Sequence, residues 1–232
     1  MLVIGPLRLT GWPALAAQLA IGAAIGALLA RRIVHPPPHG WATEFHQRWP
    51  FYTSLALWII FTLYWSAAAK NAAPTARAES PASRQLHVIA VNAALVLLYL
   101  PVPALQGRFL PDGPLTAPIG LAIQLAGLLL AVWSRRHLGR NWSGAITAVV
   151  DHQLIRSGPY RVIRHPIYTA LLGMYLGAAI VVGQFHALLA LAIAIIAYWR
   201  KIRLEERNLR DIFGPTYDEY CRESWALLPP LL

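Results

Sequence analysis

Hydrophobic positions in this chain come in long uninterrupted runs separated by short polar stretches, a pattern that alternating strands or one-sided soluble helices do not produce. Trp12–Ile33 is apolar for long enough to cross a bilayer, which takes about 20 helical residues. A secretory leader is the rival reading, but the run exceeds the ~7–15 residues of a signal core and is followed by Arg31 and Arg32. Further spans are expected at Phe51–Ala69, Leu86–Leu105, Leu115–Trp133, Ile167–Val182 and Phe185–Trp199. The last two are joined so tightly that they must form an antiparallel hairpin. Between the spans, 70–85 reads as a polar loop rich in Ala, Pro, Ser and Arg, and 134–166 as a long polar connector. Arg200 opens a charged, helical tail.

The pattern predicts an all-α fold, a polytopic membrane helix bundle of about six transmembrane helices, five if the first is lost. It divides into an N-terminal part, 1–114, with three spans, and a core, 115–232, with three spans, the connector and the tail. Composition agrees: 57% of the 232 residues are hydrophobic and 13% charged, too apolar for a soluble domain of this length. The formal net charge of +10 then suggests topology signals and contact with anionic lipid head groups rather than nucleic acid. With cytoplasmic termini, 16 basic residues fall inside and 4 outside, with Arg31 and Arg32 on the unfavourable side. This places connector and tail at one cytoplasmic surface. Cys221 is the single cysteine, which excludes an internal disulfide framework and a cysteine-based metal cluster, and no metal site is expected.

Gly158–Tyr168 concentrates the polar chemistry, with two arginines, a histidine, two tyrosines and two prolines at the mouth of a span. Pro166 suits the first turn of a helix, because its missing N–H would be unpaired there in any case. The free backbone donors and partial positive charge of that helix start welcome a carboxylate or phosphate, and Arg161 and Arg164 add to the field. At the end of the sixth span, Arg200, Lys201 and Arg203 are followed by Glu205 and Glu206. Taken singly, each residue has an ordinary structural role as topology signal, dipole partner, belt aromatic or local ion pair.

Taken together, they resemble a known set. His152-Gln-Leu-Ile-Arg-Ser-Gly-Pro-Tyr-Arg-Val-Ile-Arg-His-Pro-Ile-Tyr168, a hairpin, Glu205-Glu206, Phe213-Gly-Pro-Thr-Tyr217, Tyr220, Trp225 and Pro229 follow in order. This series resembles the isoprenylcysteine carboxyl methyltransferases and their phospholipid methyltransferase relatives, over about Trp133–Pro229. The resemblance implies S-adenosylmethionine as cofactor, bound at the cytoplasmic face, and a lipophilic acceptor entering from the lipid. By the same resemblance His152, Gln153, Leu154, Ile155, Tyr160, His165, Pro166, Ile167, Tyr168 and Glu205 line the cofactor site. Lys201 stands where the carboxyl methyltransferases place a substrate-contacting arginine, Ala170 where the family often has glycine, and Ala145 where they use a glutamine. Arg164 and Glu206 are candidates for support or base. No strand followed by a glycine-rich loop precedes a helix, which argues against a soluble nucleotide-binding site.

Three acceptor classes remain open from the sequence. A carboxylate needs no base, so positioning and water exclusion would suffice. An amine such as that of phosphatidylethanolamine must lose a proton, with His165 or Glu206 as base; a small thiol is the third. Lys201 favours an anionic acceptor, although it cannot copy the bidentate grip of arginine. A non-enzymatic scaffold or transporter is the alternative of another class, against which stand the near absence of charge within the spans and of any internal repeat. The composition suggests a bacterial cytoplasmic membrane, or the endoplasmic reticulum in a eukaryote.

Overall fold

The computed structural model describes residues 41–69, 75–78, 80–139, 147–149 and 154–228. The expected span Trp12–Ile33 lies outside them, as do His152, Gln153 and Ala145. Within them the protein is a bundle of long helices: α1 (Trp41–Ala69), α2 (Pro81–Tyr99), α3 (Thr116–Leu138), α4 (Pro166–Val182), α5 (Phe185–Phe213) and the short α6 (Pro215–Glu223). Four are long and apolar enough to cross a membrane, within α1 (Arg48–Ala68), α2, α3 and α5, and α4 is a shorter apolar helix of 17 residues. The chain is a membrane protein. Large side chains such as Leu63, Leu129 and Ile196 stay more than 60% exposed, as they must where lipid is the solvent.

Local chemistry moves several helix ends away from those hydropathy alone suggests. α2 begins at Pro81 rather than Leu86, because Pro81 suits the first helical position and the Ser80 hydroxyl accepts the Ser83 N–H at 3.3 Å. It stops at Tyr99, ahead of Pro101 and Pro103, which cannot donate to a helical ladder. α3 runs on to Leu138 and ends at Gly139, whose φ of +54° takes the chain out of the helix. The helical tail expected from Arg200 is continuous with the sixth span, α5 running fourteen residues past Trp199 without a break. A two-stranded antiparallel pairing, β1 (Thr75–Ala78) with β2 (Thr147–Val149), links the 70–85 loop to the 134–166 connector and adds a small element to an otherwise all-α fold.

α3 and α4 form the tightest helix pair. A Cβ on Gly177 would lie 2.4 Å from the Gly120 carbonyl oxygen, and one on Gly127 would lie 2.6 Å from the Ala170 carbonyl oxygen. The two backbones touch because glycine stands at each crossing point, as small residues allow in lipid, where hydrophobicity does not drive helices together. On α5 the inward face is Ala187, Ala190, Ala194 and Ala197, all buried.

A polar node crosses the bundle at α1, α2 and α3. Ser54 Oγ lies 2.6 Å from Tyr99 Oη and donates to Gln124 Oε1 at 2.7 Å, while Gln124 Nε2 donates to the Ser54 carbonyl at 2.8 Å. All three side chains are buried. Replacing Gln124 by leucine removes two of these bonds and should cost about 1–3 kcal/mol. Denaturant unfolding in mixed micelles measures this, and an unchanged midpoint would show that the node contributes nothing to stability.

The two ends of the bundle are tied differently. At one, Phe185 N–H bonds the Gly107 carbonyl at 3.0 Å and Phe109 N–H bonds that of Gly183 at 3.0 Å. At the other, Arg135 donates to the carbonyls of Ala68 and Gly139, each at 2.7 Å, and so closes the ends of α1 and α3 together. Arg200 reaches from α5 to Ser83 Oγ at 2.5 Å. The candidate site lies at this second end.

Candidate functional site

The site begins where the connector enters α4. Gly158 opens a 3₁₀ turn, Gly158–Arg161, at a φ of +60°, which glycine adopts without a Cβ penalty. The backbone then runs beside the tail: Arg164 N–H donates to the Trp225 carbonyl at 2.8 Å, His165 N–H to that of Ala226 at 3.1 Å, and Trp225 N–H to that of Val162 at 2.9 Å. Val162–His165 and Trp225–Ala226 thus lie side by side as a parallel bridge. The Arg164 guanidinium completes the join by donating to the carbonyls of Cys221, at 3.2 Å, and Ser224.

Two carboxylates from α5 meet this turn. Arg164 Nε donates to Glu206 Oε1 at 3.0 Å, and Arg210, one turn further along α5, places Nη2 3.6 Å from Glu206 Oε2. His165 lies between the two glutamates, with Nδ1 3.8 Å from Glu205 Oε2 and Nε2 3.4 Å from Glu206 Oε1, the latter without hydrogen-bond alignment. Tyr168 Oη donates to Glu205 Oε2 at 2.8 Å, and its ring stacks on His165 at 5.6 Å and lies 5.4 Å from the ring of Tyr198. Glu205 keeps about a third of its side chain open (32% exposed), whereas Glu206 is nearly enclosed (12%). The two glutamates therefore differ in kind: Glu206 is neutralised by arginines, and Glu205 remains accessible.

Tyr160 stands across the connector from this cluster. It is 7% exposed, and its hydroxyl has no hydrogen-bond partner among the described residues. Burial, and after it the charge of Glu205, pushes the phenol far above its ordinary range, so it stays protonated and able to donate. A buried, unpaired donor is costly unless something else completes it. α4 offers more donors of this kind: His165 makes no side-chain cap, Pro166 occupies the first position, and no acidic residue lies in the first turn. Together these features form a place for a ligand with acceptor groups and some negative charge.

Of the residues expected to line a site, Tyr160, His165, Pro166 and Ile167 are buried and Tyr168 is half-buried, near Glu205 and Glu206; Leu154 and Ile155 are half-buried as well. Lys201 is buried one turn before Glu205 on α5, beside Ile202. Sequence reasoning missed Arg210, although its spacing of four from Glu206 on one helix was a usable signal. It also missed His137 and Ser157, whose meeting depends on how α3 sits against the connector and leaves no mark in the sequence.

Residues 115–216 match the family model described as "Phospholipid methyltransferase". Similar sequences include the cobalt-zinc-cadmium resistance protein CzcN of Cupriavidus metallidurans, 35% identical over 140 residues, which are 59% of this chain and 62% of that protein. The probable protein-S-isoprenylcysteine O-methyltransferase of Oryza sativa subsp. indica is 28% identical over 114 residues, 48% of this chain and 60% of that protein. Methanethiol S-methyltransferase 1 of Bradyrhizobium diazoefficiens is 26% identical over 161 residues, 64% of this chain and 55% of that protein. The chain thus spans between 55% and 62% of the length of these three relatives. Among solved structures, the eukaryotic intramembrane Ras methyltransferase ICMT aligns with a TM-score of 0.47 and 18% identity, over 99% of this chain and 70% of that one.

Proposed function

We propose that this chain, whose residues 115–216 match the phospholipid methyltransferase family model, is an integral membrane methyltransferase that takes its methyl group from S-adenosylmethionine. The observation that carries the reading is the pairing of an accessible carboxylate, Glu205, with a buried, unpartnered donor, Tyr160, at the uncapped start of α4. These groups fit the cofactor's polar parts: Glu205 would accept from a ribose hydroxyl or the amino group, and the helix start would take the carboxylate. His165, Pro166, Ile167 and Tyr168 would supply flat walls and backbone groups for the adenine, with Leu154 and Ile155, and with His152 and Gln153 outside the described residues. When bound, the cofactor supplies an electrophilic methyl group on a sulfonium centre.

The chain's own residues do the rest. Arg164 and Arg210 fix Glu206, and His165 lies between Glu206 and Glu205, one ring nitrogen facing each. Engaged in this way, Glu206 is a support rather than a base. Of the acceptor readings the one that needs no base is preferred, because Lys201 favours an anionic acceptor: O-methylation of a carboxylate on a lipophilic, isoprenylcysteine-like molecule, with Lys201 as the cation on its side. Catalysis would rest on alignment and on keeping water out at the membrane surface. The site and both termini would face the cytoplasm.

Calorimetry of S-adenosylmethionine and its demethylated product with the detergent-purified protein tests this. Wild type should bind, and Glu205→Ala and His165→Ala should each weaken binding at least tenfold. Labelled cofactor then separates prenylcysteine, aminophospholipid and thiol acceptors. No binding by folded wild type, in detergent and again in nanodiscs, would overturn the methyltransferase reading in favour of a membrane scaffold.

A further inference from the structure

One side chain outside the expected set meets three residues of the connector turn, Ser157, Gly158 and Tyr160. His137, on the last turn of α3, has its Nε2 2.8 Å from Ser157 Oγ. Its ring occupies the space that a Cβ on Gly158 would need, 2.7–2.8 Å from that point, so the absence of a side chain there is what admits it. The same ring stacks over Tyr160 with centroids 6.4 Å apart and planes 22° apart, within the range of favourable offset stacking. Tyr160 is held on its other side through its backbone, because Tyr220 Oη donates to the Tyr160 carbonyl at 2.5 Å. The phenol of Tyr160 is buried and without a partner among the described residues, so its direction is set by these two holds.

We infer that His137 is a positioning residue: it fixes the Tyr160 ring so that the phenol O–H faces the bound adenosyl ligand as a preset donor. The inference rests on the methyltransferase reading and adds to it a residue from α3, a helix otherwise occupied with packing. The physical reason for such a hold is entropic. A donor already fixed in its bound rotamer loses less freedom on meeting its acceptor than one that must be ordered by the ligand. Ser157 sets the imidazole orientation, Gly158 leaves room for it, and Tyr160 receives its face.

Binding of S-adenosylhomocysteine to detergent-purified wild type, His137→Ala, Tyr160→Phe and the double variant tests the inference by calorimetry. His137 is exposed at the surface, so His137→Ala should keep the wild-type melting temperature. Tyr160→Phe should weaken binding about tenfold and His137→Ala about fivefold. In the Tyr160→Phe background the histidine change should matter less than twofold, because the group it positions is gone. His137→Phe, which keeps a ring for the stack but not the bond to Ser157, should recover part of the loss. Losses that simply multiply in the double variant would mean that His137 acts elsewhere and would overturn the inference, as would unchanged binding by His137→Ala while wild type binds. Absence of binding by wild type would overturn the reading beneath it as well.

Discussion

Replacing Arg164 by alanine should lower the stability of the folded protein by about 3 kcal/mol and loosen the C-terminal residues from the bundle. The side chain is 10% exposed and its partner Glu206 is 12% exposed, so removing it leaves a carboxylate enclosed with one arginine fewer, and breaking such pairs costs about 3–5 kcal/mol. The lower end applies because Arg210 and His165 remain near Glu206. The same change strips a donor from the carbonyls of Cys221 and Ser224, which sit where the tail turns back beside the connector. Arg164→Lys keeps the charge but cannot serve a carboxylate and two carbonyls from one planar fork, so it should recover less than half of the loss. Denaturant unfolding in mixed micelles gives the stability, and the rate of trypsin cleavage after Arg222 reports the tail. Wild-type behaviour in both measurements would mean that Arg164 does not hold the tail.

Gly177→Ala should be nearly as damaging, at about 3 kcal/mol, while Gly173→Ala on the same helix should be neutral or slightly stabilising. A methyl group at 177 would meet the Gly120 carbonyl oxygen at 2.4 Å and the Gln124 nitrogen at 2.5 Å, both backbone atoms that cannot move aside without parting α3 from α4. At 173 the nearest atom would be the Gly127 Cα at 3.9 Å, an ordinary contact. Alanine is the better helix former by up to about 1 kcal/mol, so the two substitutions differ only in what the methyl group meets. Parting the helices at 177 would also shift Gln124 away from Ser54, so loss of the polar node should accompany loss of stability. Equal effects of the two alanines would show that the close approach at Gly177 is not a determinant of the packing.

Each of these residues stands at a different distance from what its sequence context discloses. Long apolar runs determined that the chain crosses a membrane, because a bilayer demands internally bonded helices of about 20 residues and little else satisfies it. Pro166 marked the start of α4, and the two residues between Val182 and Phe185 required a hairpin, both by local geometry alone. The Arg-His-Pro-Ile-Tyr turn and the Glu pair were legible as candidates only as a set, through their order and spacing and the resemblance these carry, because singly such residues are ordinary at a membrane surface. Helix limits were less so: Ser80 and Pro81 extend α2 beyond its apolar run, and the tail after Trp199, though expected to be helical, continues α5 without a break that hydropathy would have marked.

Only the tertiary structure decided which glutamate is which. Glu205 and Glu206 are neighbours of one type, yet their directions on α5 differ by about 100°, so one meets Tyr168 and stays open while the other meets two arginines. The tail's place beside the connector, the role of Gly177 and the contact of His137 with Tyr160 are of the same kind. Each depends on two segments far apart in the chain arriving at a few ångströms, a distance set by the packing of whole helices and not by any local preference of the residues that meet.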